Sequence, residues 1–272
     1  MGKLMPYSTE YLGGAPCVRP ARLSEMWELY HVEKGAVTVI TAYYTANVEA
    51  GTYFFLPEGV IRHIRGDGAL SCIRFPSTVF RQISERVEKD LLYMFTLRAT
   101  QSLIKVDFFD PTYRALEDAF RFCREELMDK DICYDLRTSA RMMLIFADIL
   151  ASYSAMTGED GRPIYHNVLR LKPAIEYIHR HLYTRITVGE LAGLLPLTAD
   201  YFIRLFRESL GVTPVDYIQS ARVCEAMRLL LETDCTIPEI ATSVGISQSH
   251  MSNLFGDILG MTPLAYRRLN EG

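Results

Sequence analysis

At 272 residues the chain is long enough for two ordinary domains, and with 49% hydrophobic and 23% charged residues it has the composition of a soluble globular protein. No apolar run approaches the roughly 18–20 residues of a bilayer span, and the first residues lead into no apolar leader, so a cytoplasmic protein without a membrane partner is expected. A net charge of −4 excludes a globally basic nucleic-acid binder, and six cysteines without a C-x-x-C pair fit no zinc template and read as small buried hydrophobes.

From about Trp27 to Phe80 the pattern is one of short strands. Trp27 to Val32 alternates, Ala36 to Thr41 is β-branched, and Thr52 to Leu56 is aromatic, with turn signals at Lys34-Gly35, Ala50-Gly51, Glu58-Gly59 and Gly66-Asp67-Gly68. Many short strands with regular glycine turns predict a small barrel or sandwich over residues 1–80. The run Gly51-x5-Pro57-x-Gly59-x3-His63 resembles the second motif of cupin barrels with one residue extra. Cupin metal sites draw on several converging histidines, whereas this segment holds only His31 and His63, so no metal, no cofactor and no catalysis are expected. A barrel mouth is a common place for a small-molecule pocket. Tyr30, His31, Tyr43, Tyr44, Tyr53, Phe55 and His63 are candidate lining residues, with Arg62, Arg65 or Arg74 as an anchor. Alternation alone leaves open which of the aromatics are simply core.

Residues 81–155 read as helices: Val79 to Tyr93, Leu116 to Leu127, and Thr138 to Tyr153, the last with an apolar side of Met142, Met143, Leu144, Phe146, Ala147 and Leu150. The polar, Gly/Pro-rich Thr157 to Pro163 marks an interdomain linker over 156–166.

Residues 167–272 carry the strongest feature, a self-similarity at an offset of 49 residues that needs no gap. Thr187-Val188 returns as Thr236-Ile237, Glu190-Leu191-Ala192 as Glu239-Ile240-Ala241, and Leu205-Phe206 as Leu254-Phe255. Gly211-x-Thr213-Pro214-x-x-Tyr217 returns as Gly260-x-Thr262-Pro263-x-x-Tyr266. Each copy predicts a short helix opened by a capping box, Thr187 with Glu190 and Thr236 with Glu239. A turn at Pro196 or Gly245 follows, then a second helix capped by Thr198 or Ser247 and closed at Gly211 or Gly260. Two short helices joined by a tight turn are the helix-turn-helix unit, and Thr213 to Thr233 reads as one long helix joining the two copies.

Residues Ile175 to Arg267 resemble the DNA-binding domain of the AraC/XylS family of bacterial regulators. The likeness rests on Ile240-Ala241-x-x-Val244-Gly245, Leu254-Phe255 and Gly260-x-Thr262-Pro263-x-x-Tyr266-Arg267, with Arg222-x-x-x-Ala226-x-x-Leu229-Leu230 in the connecting helix. Pro196 stands where the family usually has a turn-friendly residue, and Gly256 where it usually has a cation. The resemblance implies an α+β protein with a cupin-like sensor barrel, dimerisation helices, and an all-α domain of two units. Its implied partners are double-stranded DNA, a small-molecule effector, a second copy of the chain and, in an activator, RNA polymerase.

By position in that motif Asp200, Ile203 and Arg204 match residues facing the groove floor. Arg204 suits a bidentate bond to guanine, and Ile203 a thymine methyl. Arg207, Arg180 and Arg185 are expected at phosphates, and Thr198 and Ser247, at the helix starts, are further DNA-binding candidates. The second unit offers Gln248, Ser249, Ser252 and Asn253 without a cation. From His166 onward there are 10 Lys+Arg against 11 Asp+Glu, so attraction to DNA must come from local placement of arginines. Control by a protein partner through the front domain, without a small ligand, is the alternative reading.

Overall fold

A computed structural model describes residues 8–12, 17–23, 26–41, 43–76, 96–97, 99–100, 103–128, 132–154 and 164–270. The predicted helix at Val79 to Tyr93 falls outside these residues, as does most of the predicted linker.

Among the described residues the front half holds nine strands: β1 (Ser8–Leu12), β2 (Cys17–Leu23), β3 (Trp27–Lys34), β4 (Ala36–Thr41), β5 (Thr45–Glu49), β6 (Tyr53–Leu56), β7 (Ile61–Gly66), β8 (Ala69–Phe75) and β9 (Ile104–Val106). They form two open antiparallel sheets among the described residues, β1-β8-β3-β6-β9 and β2-β7-β4-β5, so the expected barrel or sandwich takes the form of two facing sheets. β9, which the sequence reading assigns to a helical stretch, pairs with β6 by putting Tyr53 opposite Val106. Three residues are too short to show strand periodicity.

The two faces of the five-stranded sheet serve different cores, because successive strand residues point opposite ways. Tyr30, Val32, Phe54, Leu56, Leu70 and Cys72 point inward to meet Val37, Val39, Val48 and Ile64 of the four-stranded sheet. Trp27, Leu29, Tyr53, Phe55, Ile73 and Phe75 point outward and are covered by two helices, α1 (Tyr113–Met128) and α2 (Tyr134–Ser154), through Leu116, Phe120, Met142, Phe146 and Ile149. α2 buries Met142, Phe146 and Leu150 as expected, but Leu144 is 59% exposed and Ala147 is exposed.

The C-terminal half holds α3 (Ile164–Arg180), α4 (Val188–Gly193), α5 (Ala199–Leu210), α6 (Pro214–Glu232), α7 (Ile237–Ser243), α8 (Gln248–Leu259) and α9 (Pro263–Asn270). Both capping boxes form, with the Thr187 and Thr236 hydroxyls accepting the Glu190 and Glu239 N–H and the two carboxylates returning to the threonine N–H. Gly211 and Gly260 close α5 and α8 at φ 81° and 67°. The repeat extends into packing. Phe206 meets Tyr217 edge-on at 5.5 Å, and 49 residues later Phe255 meets Tyr266 at 5.9 Å. Each unit therefore has its own aromatic-centred core, and α6 contributes to both. No described helix is long and apolar enough to cross a membrane.

Candidate nucleic-acid interface

In each unit the second helix buries one face and leaves the other to solvent. α5 buries Phe202, Leu205, Phe206 and Leu210, and α8 buries Met251, Phe255 and Leu259. The opposite face of α5 exposes Asp200, Ile203, Arg204 and Arg207, and that of α8 exposes Gln248, Ser249 and Asn253, with Ser252 half-buried. Thr198 and Ser247 are caps: their hydroxyls accept the Tyr201 and His250 N–H at 3.4 and 3.1 Å. The structure thus places the predicted residues of α5 and α8 on the helix face turned away from each unit's core, and β4 of the front half lies against α8.

The helices differ in what holds their polar ends. Arg204 lies over the Tyr201 ring at 5.2 Å, and Arg170 of α3 approaches the same ring at 6.0 Å. At the equivalent place in the second unit His250 bonds Gln219 of α6 at 3.2 Å. Arg185 is exposed between α3 and α4, while Arg180 pairs with Glu176 at 3.6 Å.

Two other arginines are structural, and sequence reasoning had assigned them no contact. From α6, Arg222 bonds the Leu182 and Thr184 carbonyls at 3.0 and 2.6 Å. From α9, Arg267 bonds those of Leu230, Thr233 and Cys235 at 3.1, 3.4 and 2.6 Å. These carbonyls end α3 or α6 and lead into the first helix of each unit, so each arginine ties a unit to what precedes it. Arg222 follows Tyr217 by five residues and Arg267 follows Tyr266 by one. The difference is one helical turn, which keeps both on the same face. The turns differ too: Gly245 takes φ 71°, and Pro196 is held at φ 23°, far from the roughly −65° its ring prefers.

The residues proposed to line a ligand pocket do not converge. Tyr30, Arg62 and Arg74 lie between the sheets, where the buried Glu28 carboxylate accepts bonds from the Tyr30 hydroxyl (2.9 Å), Arg62 and Arg74 Nε (3.1 Å). Tyr53 and Phe55 lie on the other face under α1, where Tyr53 stacks on His31 at 4.3 Å. His63, on β7 between the inward-facing Arg62 and Ile64, faces the other side of the four-stranded sheet, and burial together with Arg65 lowers its pKa. Tyr44 is largely buried, its hydroxyl without a partner among the described residues.

Tyr43, in the turn between β4 and β5, reaches the C-terminal half. It approaches Tyr217 at 6.4 Å and packs with Cys224 of α6 against the core of the second unit, and burial pushes the Cys224 thiol up to about 12. Beside it lies a cavity of about 410 Å³ lined by Tyr43, Thr96, Leu97, Thr100, Glu176, His179, Arg180 and Tyr217. Both halves of the chain contribute to that wall. His179 Nε2 lies 2.8 Å from the Tyr217 hydroxyl, and desolvation lowers the imidazole pKa.

Comparison with known proteins agrees with this architecture. The helix-turn-helix domain family matches residues 191–269. The HTH-type transcriptional regulator YobQ of Bacillus subtilis is 37% identical over 59 residues, which is 22% of this chain and 24% of that protein. LumQ of Photobacterium leiognathi, a probable transcriptional regulator, is 36% identical over 56 residues, 21% of this chain and 23% of that protein. The chain thus matches about a quarter of the length of these curated relatives. Over the whole chain the fold is that of ToxT from Vibrio cholerae, with a TM-score of 0.54 at 14% identity, covering 98% of this chain and 100% of that one. A second ToxT structure, of the wild type with an unsaturated fatty acid bound, gives 0.52 at 12% identity, covering 98% and 96%.

Proposed function

We propose that this chain, whose residues 191–269 form a helix-turn-helix domain of the AraC type, is a transcription regulator that reads DNA sequence and is controlled by a small ligand. The observation that carries the DNA-reading part is the doubled unit in which α5 and α8 each expose a polar face, both hung on a single helix. α6 has 19 residues and so spans about 28 Å, close to the roughly 34 Å between successive major-groove openings on one side of a duplex. Arg204, Asp200 and Ile203 meet base edges, and Arg207 and Arg185 meet phosphates. Gln248, Ser249, Ser252 and Asn253 meet the second groove without a cation, so affinity comes mainly from the first unit.

Ligand control is supported by the cavity at Tyr43, which has walls from both halves. A ligand there that bound one arrangement of the halves more tightly would shift the population toward it. ToxT, which shares the fold, has been crystallised with an unsaturated fatty acid. The alternative, control by a protein partner, is favoured by the pair Phe108 and Phe109, 70% and 92% exposed on the turn before α1.

The chain acts as a cytoplasmic homodimer paired through α2, and RNA polymerase is its further partner where it activates. Leu136, Ala140, Leu144, Ala147 and Ala151 form an exposed apolar stripe on α2. Arg141 and Asp148, both exposed, lie three residues before and four residues after Leu144, about one helical turn to either side. Antiparallel pairing of two copies brings Leu144 onto Leu144 and each Arg141 beside the other copy's Asp148.

Selection of bound duplexes from a random pool by the full chain, repeated across a salt series, tests the reading. Two enriched boxes about one turn apart, with affinity falling as salt rises, are expected. No enrichment at any salt would refute it.

A further inference from the structure

We infer that Tyr201 is the positioning residue that gives the first unit its base preference, by holding the Arg204 guanidinium over its ring. The inference rests on the DNA-reading assignment above and goes beyond it in naming what fixes the reading arginine. Three observations lead there. Arg204 Cζ lies 5.2 Å from the Tyr201 ring centroid, within the range of a cation–π contact. Tyr201 is itself anchored, half-buried against the core of the first unit, with its N–H bonded to the Thr198 cap. The counterpart of this pair in the second unit is His250 with Asn253, where the imidazole is turned to Gln219 and there is no cation to hold.

The chemistry favours this use of the ring. Stacking engages the face of the guanidinium, whereas its five N–H donors lie in its plane. An arginine stacked on tyrosine therefore keeps the whole donor fork for O6 and N7 of a guanine. A long side chain free to rotate would lose several rotamers on docking, and the ring removes part of that loss beforehand. Arg170, at 6.0 Å from the same ring, adds a second positive charge beside it, which suits an approach to a polyanion.

The experiment measures, with the full chain, binding to the duplex selected by the wild type and to the duplex with the guanine pair under Arg204 replaced. The ratio of the two affinities is the readout. Tyr201→Leu, which keeps an apolar side chain on the core, is expected to lower that ratio about two- to five-fold, the size of a partly exposed cation–π contact. Tyr201→Phe and Tyr201→Trp, which keep a ring, are expected to hold it within about two-fold of wild type. In an Arg204→Ala background Tyr201→Leu is expected to change nothing further, as coupled residues do in a double-mutant cycle.

Equal losses for Tyr201→Leu in both backgrounds would mean a merely structural role and overturn the inference. So would a ratio unmoved in Tyr201→Leu, or one lost in the folded Tyr201→Phe and Tyr201→Trp variants. A wild type with no preference among duplexes would overturn the DNA-reading assignment itself, and this inference with it.

Discussion

The Arg62→Met variant offers a direct measure of what holds the front half together. Glu28 and Arg62 are only 1% and 3% exposed, so their charges have left water almost entirely. Removing one partner of a buried ion pair typically costs about 3–5 kcal/mol, because the other charge stays buried without it. Here Glu28 keeps Arg74 Nε at 3.1 Å and the Tyr30 hydroxyl at 2.9 Å, which compensate in part. The expected loss is therefore about 2–3 kcal/mol, below the usual range for an isolated pair. The chain's single tryptophan, Trp27, is the neighbour of Glu28 and is buried against Phe75 and Phe146. Urea unfolding followed by Trp27 fluorescence thus reports this half alone. At a slope of about 2 kcal/mol per molar, the midpoint should fall by about 1–1.5 M. Replacing Glu28 as well, by Leu, should recover most of the loss, since an apolar pair of similar volume often matches a buried ion pair. A midpoint unchanged in Arg62→Met would refute the reasoning and return Arg62 to the role of ligand anchor that its sequence position suggests.

Pro196→Gly should stabilise the C-terminal half, because φ 23° is strained for proline and open to glycine. With strain of about 1–3 kcal/mol set against roughly 1 kcal/mol of added chain entropy, a thermal midpoint a few degrees higher is expected, and a lower one counts against strain there. Arg267→Met should cost about 2 kcal/mol by stripping three carbonyls of their charged donor, with hydrogen exchange rising between α6 and α7. Arg267→Lys should recover less than half of that, since an ammonium cannot span the fork, and full recovery would argue against the geometry. His179, whose imidazole pKa desolvation lowers, binds fewer protons folded than unfolded as pH falls below about 6.5, so its contribution is full above that value and is lost as pH falls to its lowered folded pKa. His31 and His63 are shifted the same way, so the test is the difference in acid sensitivity between the wild type and His179→Gln, and no difference would exclude His179.

The C-terminal half was legible because its rules are local. A capping box spans three residues, a left-handed glycine ends its own helix, and a repeat of 49 residues announces a unit used twice. The exposed faces of α5 and α8 followed from helical period alone. The front half was legible only as strands and turns. Alternation says that Leu29 and Tyr30 face opposite sides of their sheet, but both sides are covered, one by the second sheet and the other by α1 and α2. Nothing in the order of residues says which side is which.

Contacts between distant residues were decided by tertiary structure throughout. Arg62 meets Glu28 across 34 positions, Arg222 meets Leu182 across 40, and Tyr43 meets Cys224 from the other half of the chain. A charge or hydroxyl on a strand or helix carries no local mark of its partner, so Arg62 and Arg74 read as ligand anchors in the sequence, whereas the fold sets Glu28 between them. The sequence by itself determined that two helix-turn-helix units exist, where they begin and end, and which side chains they offer. Only the packing of the two sheets and the seating of the turn at Tyr43 decided which polar groups are bound up inside and where a cavity remains, because burial is a property of neighbours and not of order along the chain.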